Sequence, residues 1–121
     1  SHPMQHAIPS ALDGQKEFLV QVREKLARRR DITFAMLNSA PGISCVKPDA
    51  AFYAFPKLDI QGSDEEFVKG LIRETGVVAV HGSGFGEKPG TKHLRVVFLP
   101  QEEVLRKAYA NLLEYLGKQR R

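Results

Sequence analysis

The sequence predicts an α/β (α+β) chain: a two-layer αβ sandwich with a mixed four-stranded sheet, helices mainly on one face, in the order αββαββα. Three observations predict it. Stripes at helical spacing occur near the start, in the middle and at the end of the chain. Short runs rich in Val, Ile, Phe and Tyr lie between them, bounded by Pro and Gly. Several of these runs are apolar on both sides, so they expect cover beyond what three helices on one face supply.

The first helix is predicted from about Gln15 to Leu37, striped by Phe18, Leu19, Val22, Leu26 and Leu37. Its middle, around Arg29 and Arg30, is polar on that stripe, as in a helix that leaves one packing surface and joins another. Pro41-Gly42 stops it. Two strands, Ile43–Val46 and Ala51–Phe55, are predicted to form a hairpin through Lys47-Pro48-Asp49-Ala50. Ser63-Asp64-Glu65-Glu66 reads as a capping box opening a second helix, striped by Phe67, Val68, Leu71 and Ile72 and ended by Gly76. Val77–Val80 and Leu94–Leu99 are the third and fourth strands. Pro100 opens the last helix, whose stripe runs from Val104 to Leu116, with Gly117 as its stop.

Composition narrows the function classes. The 121 residues, 42% hydrophobic and 26% charged, suit a single soluble domain over 1–121. No apolar run approaches the roughly 18 residues of a membrane span. The opening Ser1-His2-Pro3-Met4 has neither an initiator Met nor a signal-peptide pattern, so the chain is expected to start within a longer protein. The single Cys45 rules out an internal disulfide and a cysteine-based metal site, and a reducing cytoplasm is the expected compartment. The net charge of +4 concentrates in Arg28-Arg29-Arg30 and in Lys118-Gln119-Arg120-Arg121. These clusters raise the alternative of a small basic nucleic-acid-binding module, against a solvated helix face and tail. Aromatic residues interleaved with the basic ones, which base stacking needs, are missing.

The fourth strand carries the most chemistry. Alternation puts Leu94, Val96 and Phe98 on one side and Arg95, Val97 and Leu99 on the other. A guanidinium between Val and Leu is costly to bury unless an anion meets it. Its side of the sheet has no cover that the chain itself obviously supplies. His81-Gly82-Ser83-Gly84-Phe85-Gly86 follows a strand but lacks the helix that a phosphate loop needs behind its glycines. It reads as a strand-to-strand loop, plain or ligand-adjacent. His2, His6, His81 and His93 do not form a metal site by spacing.

Four segments taken in order resemble a known family. Pro41–Pro48, Ala51–Pro56, Gly76–Gly86 and His93–Phe98, with the Arg28–Asp31 stretch upstream, resemble the C-terminal small domain of class I/II, fold type I, pyridoxal-phosphate-dependent aminotransferases. The resemblance covers about residues 4–117. The His-Gly-Ser-Gly-Phe-Gly form is similar to archaeal alanine-type members, whereas the family often has Pro-Gly-Ser at 81–83 and Gly-Ala-Phe-Tyr at 50–53. The resemblance implies a substrate-binding and closing domain of an enzyme that moves an amino group between an amino acid, possibly alanine, and a 2-oxo acid. It implies that Arg95 takes the substrate α-carboxylate, with Phe85, Ser83 and Tyr53 near the mouth of the site. It assigns pyridoxal 5'-phosphate, the Schiff-base lysine and the phosphate cup to an absent large catalytic domain, toward which residues 1–14 lead. No catalytic, cofactor-binding or metal residue is then expected in this chain, no cofactor is expected on it alone, and the fragment is expected to be inactive. The parent is expected to be a homodimer, without nucleic-acid or membrane partners.

Overall fold

A computed structural model describes residues 2–120; Ser1 and Arg121, the last residue of the basic tail, lie outside the described residues. The first element runs further than its apolar stripe predicts. Helix α1 spans His2–Leu37, running back through Pro9 and the whole segment ahead of Gln15. Every residue from His2 to Gly14 is exposed, so packing contributes nothing to that part and periodicity could not reveal it. The helix ends through Asn38. Its Nδ2 donates to the carbonyls of Phe34 (2.8 Å) and Cys45 (3.0 Å), and its Oδ1 accepts the Cys45 amide at 3.0 Å.

The expected hairpin does not form. Strand β1 (Ile43–Ser44) pairs instead with an unforeseen strand, β3 (Lys57–Leu58), with Ile43 opposite Leu58. Strand β2 (Tyr53–Ala54) pairs with β5 (Leu94–Val97), with Tyr53 opposite Val97. Two local features separate the predicted partners: Val46 points into solvent, and Ala51 sits at φ 59, a left-handed conformation that breaks strand extension. Strand β4 is Val80–His81 rather than Val77–Val80, and it pairs with β5, with Val80 opposite Arg95. Every pairing is antiparallel, so the sheet is not mixed. In place of one four-stranded sheet there are a β1-β3 ribbon and a β2-β5-β4 sheet, joined by a bridge between Lys57 and His93.

The second helix follows its signals. Helix α2 spans Asp64–Thr75, Ser63 Oγ accepts the Glu66 amide at 3.1 Å, and Gly76 caps the end at φ 71. Helix α3 spans Glu102–Gln119 and passes straight through Gly117, which therefore does not stop it.

All three helices pack on one side of the sheet. One cluster joins Ala54, Leu94, Val96 and Phe98 to Leu37 of α1, Phe67 and Leu71 of α2, and Leu105, Leu112 and Leu116 of α3. Thr33 and Tyr109 are the polar link in this layer. Thr33 Oγ1 donates to the Arg29 carbonyl at 2.8 Å, so its hydroxyl oxygen accepts from the Tyr109 hydroxyl at 3.0 Å. Burial pushes the Tyr109 phenol up to about 12, against a smaller opposing effect of Thr33. Tyr109→Phe is expected to cost about 1 kcal/mol in urea denaturation at neutral pH, because Thr33 keeps its bond to Arg29. The tyrosine's contribution is intact below the ordinary phenol range and is lost as pH rises toward 12. An equal cost at strongly alkaline pH would contradict this assignment.

Candidate functional site

The opposite face of the β2-β5-β4 sheet carries the site. Strand alternation sends Arg95 and Val97 of β5, Tyr53 of β2 and Val80 of β4 to this face, and no helix covers it. Tyr53, Phe55, Val80, Phe85, Val97 and Leu99 there are 39–46% exposed, while Leu94, Val96 and Phe98 on the other side are at most 6% exposed. The sequence-based division of the fourth strand into two faces therefore holds in space, and the second face is open.

Arg95 is half-buried among aromatic rings. Its guanidinium carbon lies 4.1 Å from the Phe85 ring centre and 4.8 Å from that of Tyr53. Such faces attract the cation and restrict its plane. Among the described residues, Arg95 forms no ion pair; the arginines that do are Arg28, Arg30 and Arg120. Its charge is thus held by ring faces.

The loop between β4 and β5 brings Phe85 to Arg95. It begins as a short 3₁₀ turn, Gly82–Phe85, and Gly86 follows at φ 73. Two amides of this turn are already used. Gly82 N donates to the His93 carbonyl at 2.8 Å, and Ser83 N donates to Asp64 Oδ2 at 2.7 Å. This settles the phosphate-loop question against a cradle, since those donors face protein. Gly82 also lets the chain close on itself: a Cβ there would meet the His93 Cβ at 2.5 Å and its backbone carbon at 2.9 Å.

Asp64, the first residue of α2, is 3% exposed. Burial works to raise its carboxyl. The bonds from the Ser83 amide and hydroxyl, the Glu65 amide and the nearby His81 outweigh it and hold the carboxyl below the usual carboxylate range. Asp64→Asn is expected to cost about 1 kcal/mol at pH 7, the difference between a charge-assisted and a neutral hydrogen bond. A depressed folded value means that the carboxylate's contribution is present above about pH 4 and disappears as pH falls through the folded value. Urea midpoints of the two forms should therefore converge in acid; parallel pH curves would contradict the role of the charge.

The structure brings together Arg95, Phe85 and Tyr53 of the predicted set. Ser83 is on the same loop, but its hydroxyl meets His81 Nδ1 at 2.8 Å rather than the guanidinium. Three residues at this face escaped the sequence reading. Phe55 stacks flat on His93 at 4.8 Å (interplanar angle 8°) and meets Phe85 edge-on at 6.2 Å; His93 Nδ1 contacts Glu87 Oε2 at 2.9 Å. The alternation that placed Arg95 also places His93 on its side, a signal present in the sequence.

Several other charged groups are engaged elsewhere. Arg28 pairs with Glu102 at the surface, Arg29 donates to the Leu99 carbonyl, and Arg30 pairs with its neighbour Asp31, so two of the three arginines tie α1 to the segment around the start of α3. Lys47, Lys69 and Lys118 pair with Asp31, Glu65 and Glu114, and Lys92 donates to the Ile60 carbonyl. Among the described residues there is no cluster suited to a metal ion, and no helix is long and apolar enough to cross a membrane.

Comparison with known proteins gives this face a context. The family described as aminotransferase class I and II matches residues 1–112. The aspartate/prephenate aminotransferase of Cereibacter sphaeroides is 40% identical over 121 residues, covering 89% of this chain and 29% of that protein. The alanine aminotransferase of Pyrococcus furiosus superimposes with a TM-score of 0.78 at 41% identity, covering 84% of this chain and 26% of that one. A PLP-dependent aminotransferase from Streptococcus suis superimposes with a TM-score of 0.81 at 26% identity, covering 90% of this chain and 28% of that one. The chain thus spans less than a third of the length of each of these relatives. With nearly its whole length matched, it belongs to the class I and II aminotransferase family.

Proposed function

We propose that this chain is the substrate-binding and closing small domain of a pyridoxal-phosphate-dependent amino-acid aminotransferase, and that Arg95 receives the substrate α-carboxylate. The observation that carries this is a guanidinium flanked by two aromatic rings on an open, otherwise apolar sheet face. A planar fork of donors matches a carboxylate bidentately, and apolar surroundings strengthen the pair. Phe85 and Tyr53 fix the plane of the fork; Ser83 lines the loop beside it. The amino acid and 2-oxo acid share the carboxylate that Arg95 would grip, so one arginine serves both halves of an amino transfer. The alanine aminotransferases among its relatives favour alanine as the amino acid.

Pyridoxal 5'-phosphate supplies the electron-withdrawing chemistry in the intact enzyme. The residues gathered at the Arg95 face do not fit it by themselves: Tyr53, Phe55, Phe85, Glu87 and His93 include no lysine, and the Gly82 and Ser83 amides are engaged. The reading therefore assigns the cofactor and its lysine to a large catalytic domain, which covers the open face and shields Arg95 from water when the domains close. Residues 1–121 form one domain in this reading, with 1–14 leading toward the large domain. A homodimeric parent in a reducing cytoplasm completes it. The committed arginine triplet leaves the nucleic-acid alternative without a free basic stripe there.

The test uses the chain itself. Alanine or a 2-oxo dicarboxylate added to arginine-labelled protein should saturably shift the Arg95 Nε–Hε signal, which is assigned by its loss in Arg95→Gln. With pyridoxal phosphate added, the isolated chain should transfer no amino groups. An unresponsive Arg95 signal, or turnover by the isolated chain, would overturn the reading.

A further inference from the structure

Arg95 is held by a ring of contacts that closes through residues far from the guanidinium. Phe85 lies on the guanidinium at 4.1 Å. Phe55 braces Phe85 edge to face at an interplanar angle of 88°. His93 stacks on the other ring with an interplanar angle of only 8°. Glu87 Oε2 meets His93 Nδ1 at 2.9 Å, and these two side chains are only 12% and 18% exposed. Glu87 is two residues after Phe85, across the left-handed Gly86, so the circuit ends on the loop where it began. Gly82 completes the closure with its bond to the His93 carbonyl.

We propose that Glu87 and His93 are positioning residues for Arg95, acting through the Phe55 and Phe85 rings. This rests on the reading of Arg95 as the carboxylate receptor and extends it to residues that touch no substrate. An ionised carboxylate only accepts, so Nδ1 carries the hydrogen and points it at Glu87. That bond fixes the imidazole plane, as a carboxylate behind a histidine commonly does. The fixed imidazole sets the plane of Phe55 by stacking. Phe55 in turn limits the tilt of Phe85, whose face sets the plane of the guanidinium. A bidentate carboxylate pair needs that plane held, because both N–H bonds must point at the anion together. Ser83 takes no part in this circuit, since its hydroxyl is turned to His81.

Ring currents report the geometry directly. A guanidinium between two aromatic faces has its Hε and δ-methylene protons shifted upfield, and Phe85→Leu sets the size of the effect that one ring provides. In Glu87→Ala, which removes the acceptor, and in His93→Gln, which can still bond Glu87 but has no ring to stack, Arg95 is expected to lose most of that shift. Alanine and 2-oxo dicarboxylate titrations should then need severalfold more ligand. Backbone amide signals of the Asp64–Thr75 and Glu102–Gln119 helices report whether each variant is folded; either folded variant suffices. An Arg95 shift unchanged in the folded variants, or absent in the parent sequence, would overturn the proposal. Loss of the shift without carboxylate binding in any form would leave the positioning circuit standing and overturn the receptor reading instead.

Discussion

Arg95→Lys is expected to lower kcat/KM for amino acid and 2-oxo acid alike by about 10- to 150-fold, the equivalent of roughly 1.5–3 kcal/mol for losing one charge-assisted hydrogen bond of a bidentate pair. The assay suited to it is a chimera of the Pyrococcus furiosus alanine aminotransferase that carries this chain in place of its own matching segment. Lysine keeps the positive charge. What it loses is the planar fork and the stacking on Phe85 and Tyr53, which a compact ammonium cannot reproduce. The defect should be shared by alanine and its 2-oxo product, since both present the same carboxylate. A loss confined to one substrate would place Arg95 at a side-chain pocket. Activity equal to that of the arginine form would remove it from substrate binding altogether. Solubility and cofactor content should match the unmutated chimera, because this side chain faces away from the core.

Phe98→Ala is expected to cost about 3–5 kcal/mol, the range for emptying an aromatic site in a packed core. Phe98 is 1% exposed and lies beyond the end of β5, on the face opposite Arg95. Its amide donates to the Phe52 carbonyl at 3.0 Å, so ring and backbone together hold the edge of the sheet against the helices. Against a typical domain stability of about 5–15 kcal/mol, such a loss removes a large fraction of the total. The urea midpoint of the isolated chain should fall accordingly, whereas Val97→Ala, on the open face, should cost far less. Equal losses at the two positions would mean that both faces are buried in solution. The pair thus measures the asymmetry of the sheet.

Much of this layout was legible because it rests on local chemistry. Ser63 and Gly76 bound α2 through a side-chain cap and a left-handed turn, both of which depend on residue type alone. The two-faced reading of 94–99 needed only alternation, and the burial of Leu94, Val96 and Phe98 follows it. What could not be read was which strands would meet. Ile43 finds Leu58 rather than the nearer run because Ala51 adopts a conformation rare outside glycine, and no sequence rule marks that alanine. The extension of α1 was hidden for the opposite reason: a helix with no packed face leaves no periodic trace. At the site, Arg95 stood out as a charge in an apolar run. The stacking of Phe55 on His93 depends on two separate strand segments lying side by side, and it becomes visible only with their register.

The unpacked stretch of α1 has a mechanical consequence. Arg29 and Arg28 fasten the helix to Leu99 and Glu102, while the residues from His2 to Gln21 lie almost wholly in solvent, a rod of about 30 Å at 1.5 Å per residue. A pivot of about 10° at Arg28 swings the tip at His2, about 40 Å away, through about 7 Å. The rod is a lever whose fulcrum lies where α1 meets the core, from Arg28 to Leu37, and whatever grips its tip can turn the open sheet by leverage alone.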